Sequence, residues 1–236
     1  MSHKYINISQ EIEEKILHGE YHAGGKLPTE EELTNHYGVS RNTIRKAVDN
    51  LTRKGYIMPV QGSGMFIRDV SIENAINLEN FRGLSIDYPN SVIKTKILEF
   101  EEINASEAIA SIMKCDINTP LYYISRLRTI DDQQWVIEYS YYNRDYVPYL
   151  DEDIINTSIY SYIRNDLHKQ IGYVDRIIEA TPLSPRDAML LGLNEGEPAL
   201  VSTNKAMFRS GEIFDYSINI HHYKHTRFLK LSNLLF

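Results

Sequence analysis

The sequence predicts an α+β fold in two domains, the first helical with a terminal hairpin, the second an antiparallel sheet with packed helices. Three observations predict it. At 236 residues the chain is long for one domain. Helical periodicity with recognisable caps dominates the chain as far as Lys54. From residue 91 onward, extended runs alternate with short helical ones, the pattern of helices laid on a sheet. The expected division is 1–68 for the first domain, 69–90 for an irregular linker and 91–236 for the second. Apolar residues make up 42%, enough to bury a core in each.

In the first domain, Tyr5, Ile8, Ile12 and Ile16 recur at helical spacing and Gly19 supplies a stop, so a helix is expected over 5–18. Pro28 breaks the next segment. Thr29, with Glu32 three residues on, is a capping box that starts a second helix, ended at Gly38. After the turn Gly38-Val39, Ser40 caps a third helix that runs to Lys54. Ile44, Ala47, Val48 and Leu51 form its apolar stripe, and Arg41, Asn42, Arg45 and Lys46 group on another face. Two extended runs, 56–60 and 65–67, then flank Gln61-Gly62-Ser63-Gly64 and read as a glycine-tipped hairpin. Pro59 marks an edge strand.

A helix, a short turn and a second helix with a basic N-terminal face is an arrangement that enters a DNA major groove, and the hairpin makes it a winged helix-turn-helix. Arginine suits guanine O6/N7, and Asn42 and Thr43 can reach other bases or phosphates. Net charge is −7, which at first sight argues against nucleic acid. Its distribution does not. Residues 1–70 hold nine basic and nine acidic side chains, so the whole excess lies beyond them. Within 40–54 there are five basic residues against the single acid Asp49.

The stretch KLPTEEELTNHYGVSRNTIRKAVDNLTRKGYI, followed by VQGSGMFI, resembles the GntR family of bacterial regulators across residues 4–68. The resemblance implies DNA contacts from Ser40, Arg41, Asn42, Thr43 and Arg45, with Gly62, Ser63 and Gly64 at or near the minor groove, and the basic face of the helix adds Lys46. Many members carry arginine between the glutamates of the second helix. Here that position is Glu31, and a phosphate contact of relatives is missing.

In the second domain, strands are expected over 93–101 and 171–180, helices over 105–114, 159–168 and 185–192, and hairpins of 121–130 with 135–142 and of 199–208 with 213–222. A shift of seventy-eight residues carries Ser106 onto Ser184, Ala110 onto Ala188 and Pro120 onto Pro198. The two blocks then read as related halves of one pseudo-symmetric sheet, and pockets commonly lie where such halves meet.

Arg126 and Arg128 lie two apart in a strand and so share a face. Spacing alone leaves two readings open, a charge ladder in solvent or an anion clamp with Glu138 of the return strand beside it. Residues 92–228 resemble the UTRA ligand domain of the HutC-type GntR branch, similar in fold to chorismate lyase. The segments 124–128, 137–138, 158–160 and the final hairpin carry the match. The resemblance implies that Thr95, Arg126, Arg128 and Ser158 hold a phosphate and that Glu138 and a residue near His221 face a sugar; His221, Tyr160 and Tyr216 are expected among the effector contacts. Where members often end in Tyr-Arg-Gly-Asp-Arg-Tyr, this chain reads His-His-Tyr-Lys-His-Thr over 221–226, so the effector's identity does not carry over.

The expected partners are double-stranded operator DNA, a small-molecule effector of sugar-phosphate type and a second copy of the chain. No cofactor, metal or membrane partner is expected. His221 and His225, if both extended, stand roughly 13 Å apart, too far for one zinc. Cys115 is the only cysteine, no signal peptide is legible, and no apolar run reaches membrane-spanning length, so a cytoplasmic site is expected. Two other classes stay open: a regulator sensing another small acid or amino-acid catabolite, and a lyase-like enzyme with an appended DNA-binding domain. No phosphate-binding glycine loop, nucleophile elbow or prominent carboxylate pair favours the enzyme.

Overall fold

The computed structural model describes residues 4–69, 75–78, 84, 88 and 91–232, so most of the expected 69–90 linker lies outside the described residues. The chain divides into two compact units, Met1–Asn80 with Phe228–Phe236, and Phe81–Arg227.

The first unit contains α1 (Lys4–Leu17), α2 (Glu30–Tyr37), α3 (Arg41–Arg53), and the hairpin strands β1 (Ile57–Val60) and β2 (Gly64–Ile67). The caps act as read. The Thr29 hydroxyl accepts the Glu32 amide while the Glu32 carboxylate accepts the Thr29 amide. Ser40 accepts the Thr43 amide. Gly38 closes α2 at φ +60°, in the left-handed region where a side chain is disfavoured, and so allows the tight turn into α3. Ile8, Ile12, Leu33, Ile44, Leu51, Tyr56 and Ile67 form the core, and full burial of one such side chain stabilises by about 1.5–3 kcal/mol.

Two further strands belong to this unit and were not foreseen. β3 (Ala75–Asn77) falls in the segment expected to be irregular, and it pairs with β10 (Arg227–Leu229) near the chain's end. The segment after β10, expected in the second domain, instead returns to the first: Leu231 is buried in its core. A Cβ on Gly55 would lie 3.1 Å from Leu231 Cβ, so this glycine leaves room for the returning chain. Long-range return of a short apolar segment has no local signature.

The second unit is a six-stranded antiparallel sheet in the order β4-β5-β6-β9-β8-β7. Its strands are β4 (Ile93–Asn104), β5 (Pro120–Ile130), β6 (Gln133–Asn143), β7 (Ile171–Pro182), β8 (Pro198–Phe208) and β9 (Ile213–His222). Each half reads strand, helix, hairpin, with α4 (Glu107–Met113) in the first and α7 (Pro185–Leu191) in the second. Ser106 and Ser184 both cap these helices, and Pro120 and Pro198 both open the following strand, as the seventy-eight-residue shift requires. The halves meet where β6 pairs with β9.

Side-chain alternation gives the sheet two covered faces. Leu121 packs with α4 and Leu127 with α7 on one. Tyr122, Ile124 and Phe214 pack on the other beneath α5 (Glu152–Asn156) and α6 (Ile159–Asn165), which join the halves. Helix α5, opened by the Asp151 cap, was not read from the sequence. At five residues it is too short to show a period.

Candidate functional site

The basic face of α3 is open to solvent. Arg41, Asn42, Arg45 and Lys46 are exposed while Ile44, Ala47, Val48 and Leu51 are buried beneath them. Ser40 and Thr43 are tied into the helix start, their hydroxyls 2.9 Å apart. Gly62, Ser63 and Gly64 lie exposed at the tip of the β1–β2 hairpin. One partner of this face was missed. Glu30, on α2, meets both Arg41 Nε at 2.9 Å and Arg45 Nε at 3.4 Å. Arg41's hydrogen bond and the charge of Arg45 hold the Glu30 carboxyl below the usual carboxylate range. The contact spans eleven and fifteen residues, beyond any helical period.

In the second unit, a cavity of about 60 Å³ opens where the halves meet, under α6. Five of the sequence-predicted residues line it: Arg126, Arg128, Glu138, Ser158 and Tyr160. Both arginines are buried, at 8% and 5% exposed, so the solvent-ladder reading of their spacing is excluded. Arg126 Nε donates to Glu138 Oε2 and its Nη1 to the Ile155 carbonyl, each at 2.5 Å. Burial pulls the Arg126 guanidinium down, but Glu138 overrides it and the net shift is upward. Arg128 fares otherwise. Its Nη1 is 4.0 Å from Glu138, and Nε has no hydrogen-bond partner among the described residues. Burial, with Arg126 adding repulsion, leaves Arg128 shifted downward despite Glu138. Glu138 itself is pushed up by burial and held low overall by the two arginines.

The opposite wall comes from β9, whose alternate residues Asp215, Ser217 and Asn219 line the cavity. Tyr160 donates from its hydroxyl to Asp215 Oδ2 at 2.7 Å. Asp215 Oδ1 and Asn219 Oδ1 are buried without a hydrogen-bond partner among the described residues. Burial pushes Asp215 up to about 7. Three orphaned polar atoms, one cationic donor and two acceptors, thus belong to one cavity. Buried polar groups are rarely left so, and those that are call for a functional reason.

The remaining predicted contacts lie elsewhere. Thr95 pairs with Arg128 across the ladder, but its hydroxyl donates to the Asn156 carbonyl at the end of α5. Tyr216 is on the other face, stacked on Tyr141, because it alternates with Asp215 and Ser217. His221 shares the cavity's face further along β9, with Nε2 3.1 Å from Ser202 Oγ. Burial, helped by Arg176, drops its pKa to about 3, so the ring is neutral. Asp215, Ser217 and Asn219 were missed by sequence reasoning. The signal was present in Asp-Tyr-Ser-Ile-Asn-Ile-His, a period-two polar face, but such a face ordinarily points to water.

The sequence profile described as "Bacterial regulatory proteins, gntR family" matches residues 4–67, and that of the UTRA domain matches residues 90–227. The chain belongs to the GntR family, in its UTRA-bearing branch. Among curated relatives of this GntR regulator, "Uncharacterized HTH-type transcriptional regulator YydK" of Bacillus subtilis is 32% identical over 98% of both chains. The crystal structure of YydK, a "possible transcriptional regulator", superposes with a TM-score of 0.81 over 98% of this chain and 99% of that one. "HTH-type transcriptional regulator TreR" of Bacillus subtilis is 30% identical over 96% and 95% of the two chains. "Mannosyl-D-glycerate transport/metabolism system repressor MngR" of Escherichia coli is 28% identical over 93% and 92%. The α+β architecture and the DNA-binding regulator class stand on these matches together with the fold. Among the described residues no helix is long and apolar enough to cross a membrane.

Proposed function

We propose that the protein is a homodimeric repressor of a sugar uptake or catabolism operon, released from its operator by a phosphorylated sugar bound between the halves of the sheet. The observation that carries this reading is the buried Arg126–Arg128 pair, which shares one carboxylate, Glu138, and leaves Arg128 Nε unsatisfied. Two buried guanidinium groups share the Glu138 carboxylate, burial holds the cavity's other carboxyl, Asp215, up at about 7, and a phosphate supplies the missing negative charge with bidentate geometry. The acceptors Asp215 Oδ1 and Asn219 Oδ1 across the cavity suit the hydroxyls of a sugar. A relative named for mannosyl-D-glycerate transport and metabolism supports the class. In the first unit, Ser40, Arg41, Asn42, Thr43, Arg45, Lys46 and the Gly62–Gly64 tip are the proposed DNA contacts.

The enclosed part of the cavity, about 60 Å³, suits an anion, and a sugar held wholly inside needs more room, since small-molecule sites run to roughly 300–1,000 Å³. Admitting the sugar requires α5 and α6 to yield. Helix α5 is anchored by Arg126 to the Ile155 carbonyl and Thr95 to the Asn156 carbonyl, and α6 by Tyr160 to Asp215. A phosphate on Arg126 competes with the first. The effector therefore favours a conformation with α5 released, and through that differential affinity it shifts the dimer away from the DNA-competent state.

The test is titration of the operator complex with trehalose-6-phosphate, 6-phospho-β-glucosides and glucosamine-6-phosphate beside their dephosphorylated forms. Release by one phosphorylated sugar only is expected. Arg128→Lys should respond poorly while still binding operator, because lysine cannot make the bidentate contact. Release by a neutral sugar or an amino acid would overturn the phosphate assignment and favour a sensor of another metabolite.

A further inference from the structure

Helix α2 opens on three successive glutamates, Glu30, Glu31 and Glu32. Glu32 closes the capping box. Glu31 is exposed and acts on Arg41 through charge alone. Glu30 bridges to α3, with one carboxylate oxygen on Arg41 Nε and the other facing Arg45 Nε. The arginine side chains remain 72% and 61% exposed, so the ion pairs themselves add little to stability.

What the bridge does is geometric and electrostatic. It engages the Nε edge of each guanidinium and leaves the terminal nitrogens out of the contact, the edge that takes guanine O6 and N7. Two long side chains one helical turn apart repel and sample many rotamers when free, and ordering them at binding is unfavourable. A carboxylate shared between them does the ordering beforehand. It also cancels one of the two charges that would otherwise be drawn to any phosphate backbone.

We propose that Glu30 is a specificity-determining positioning residue, which holds Arg41 and Arg45 side by side for base edges and withholds them from phosphates. Random DNA is then weakened more than operator. This rests on the reading of α3 as the element that contacts bases.

The test uses the full-length chain, the duplex that the wild type enriches from a randomised double-stranded library, and a scrambled duplex of the same composition. Glu30→Gln and Glu31→Gln remove the same charge from the same helical turn. Glu31→Gln is expected to tighten both duplexes alike. Glu30→Gln should lower the ratio of specific to scrambled affinity about tenfold, and steepen the salt dependence on scrambled DNA by about one unit as a freed arginine turns to a phosphate. Glu30→Asp keeps the charge but is too short to bridge both arginines, and should lose the ratio with no change in net charge. Thermal unfolding of each variant confirms that the fold is intact. Equal behaviour of Glu30→Gln and Glu31→Gln, or a wild-type ratio in both Glu30 variants, would overturn the proposal. If the wild type enriches no duplex, the base-reading role of α3 falls and this proposal with it.

Discussion

Each unit of the protein holds a pair of arginines that shares one glutamate, and the two pairs differ chiefly in their access to water. Arg41 and Arg45 stand four apart on a helix, largely in solvent, against Glu30. Arg126 and Arg128 stand two apart on a strand, with 10% and 6% of their side chains exposed, against Glu138. Solvent makes the first pair cheap to keep, because water screens whatever charge the glutamate leaves over. In the second pair the surplus charge is held in a medium that penalises it. The same residues at the same two-to-one ratio therefore make a solvent-screened set in one unit, and a buried set with a partly unpaired cation in the other.

The largest expected effect tests that contrast at the glutamates. Glu138→Ala removes the carboxylate that the two buried cations share and should destabilise the chain by about 3–5 kcal/mol, with inorganic phosphate or sulfate recovering part of the loss in thermal melts. Glu30→Ala should change stability by less than about 1 kcal/mol. Equal losses in chemical denaturation would break the comparison.

Burial also predicts a pair of opposed pH dependences on one strand. Asp215 is raised to about 7, so relative to the unfolded chain its contribution is present in acid and lost as pH rises toward 7. His221 is lowered to about 3, so its contribution is present above its ordinary value of 6.5 and lost as pH falls toward 3. Between pH 4 and 7 the two slopes oppose each other. Asp215→Asn should leave stability rising with pH across that window, and His221→Phe should leave it falling, as read by denaturant midpoints at each pH. Parallel profiles for the two variants would contradict the burial of one of them.

Arg45→Ala should cost about 1–3 kcal/mol at the operator and relax preference at one base position per half-site, whereas Arg128→Ala, which removes no anchor of α5, should leave effector-free operator binding unchanged. Equal weakening of operator and random DNA by Arg45→Ala would make it a phosphate contact. The smallest effect sharpens the helical side alone. Thr29→Ala removes the α2 cap, hence about 1 kcal/mol of stability, and should loosen the Glu30 bridge measurably in the specific-to-random ratio.

Most of the first unit was legible because its determinants are local. Thr29 with Glu32, Ser40 with Thr43 and Gly38 in the left-handed region act over three or four residues, and a stripe such as Ile44, Ala47, Val48 and Leu51 marks its own buried side. The two hairpins and the internal duplication of the sheet were legible for the same reason, since period-two runs and capping serines recur at a fixed offset. The local pattern decided which segments are helix or strand and which arginines share a face.

Burial of those faces was decided only in three dimensions. Arg126 and Arg128 look like a solvent ladder until α5 and α6 cover them, and nothing within the strand announces that cover. Asp215, Ser217 and Asn219 alternate like a wet surface, yet the pairing of β9 with β6 sets them opposite Glu138 in a shared cavity. Tyr216 was misplaced by one residue's parity, Glu30 joined its arginines across a turn, and Leu231 crossed the whole chain to reach the first core. Each of these depends on which distant segment comes to lie alongside, and therefore on dielectric surroundings that no local sequence window contains.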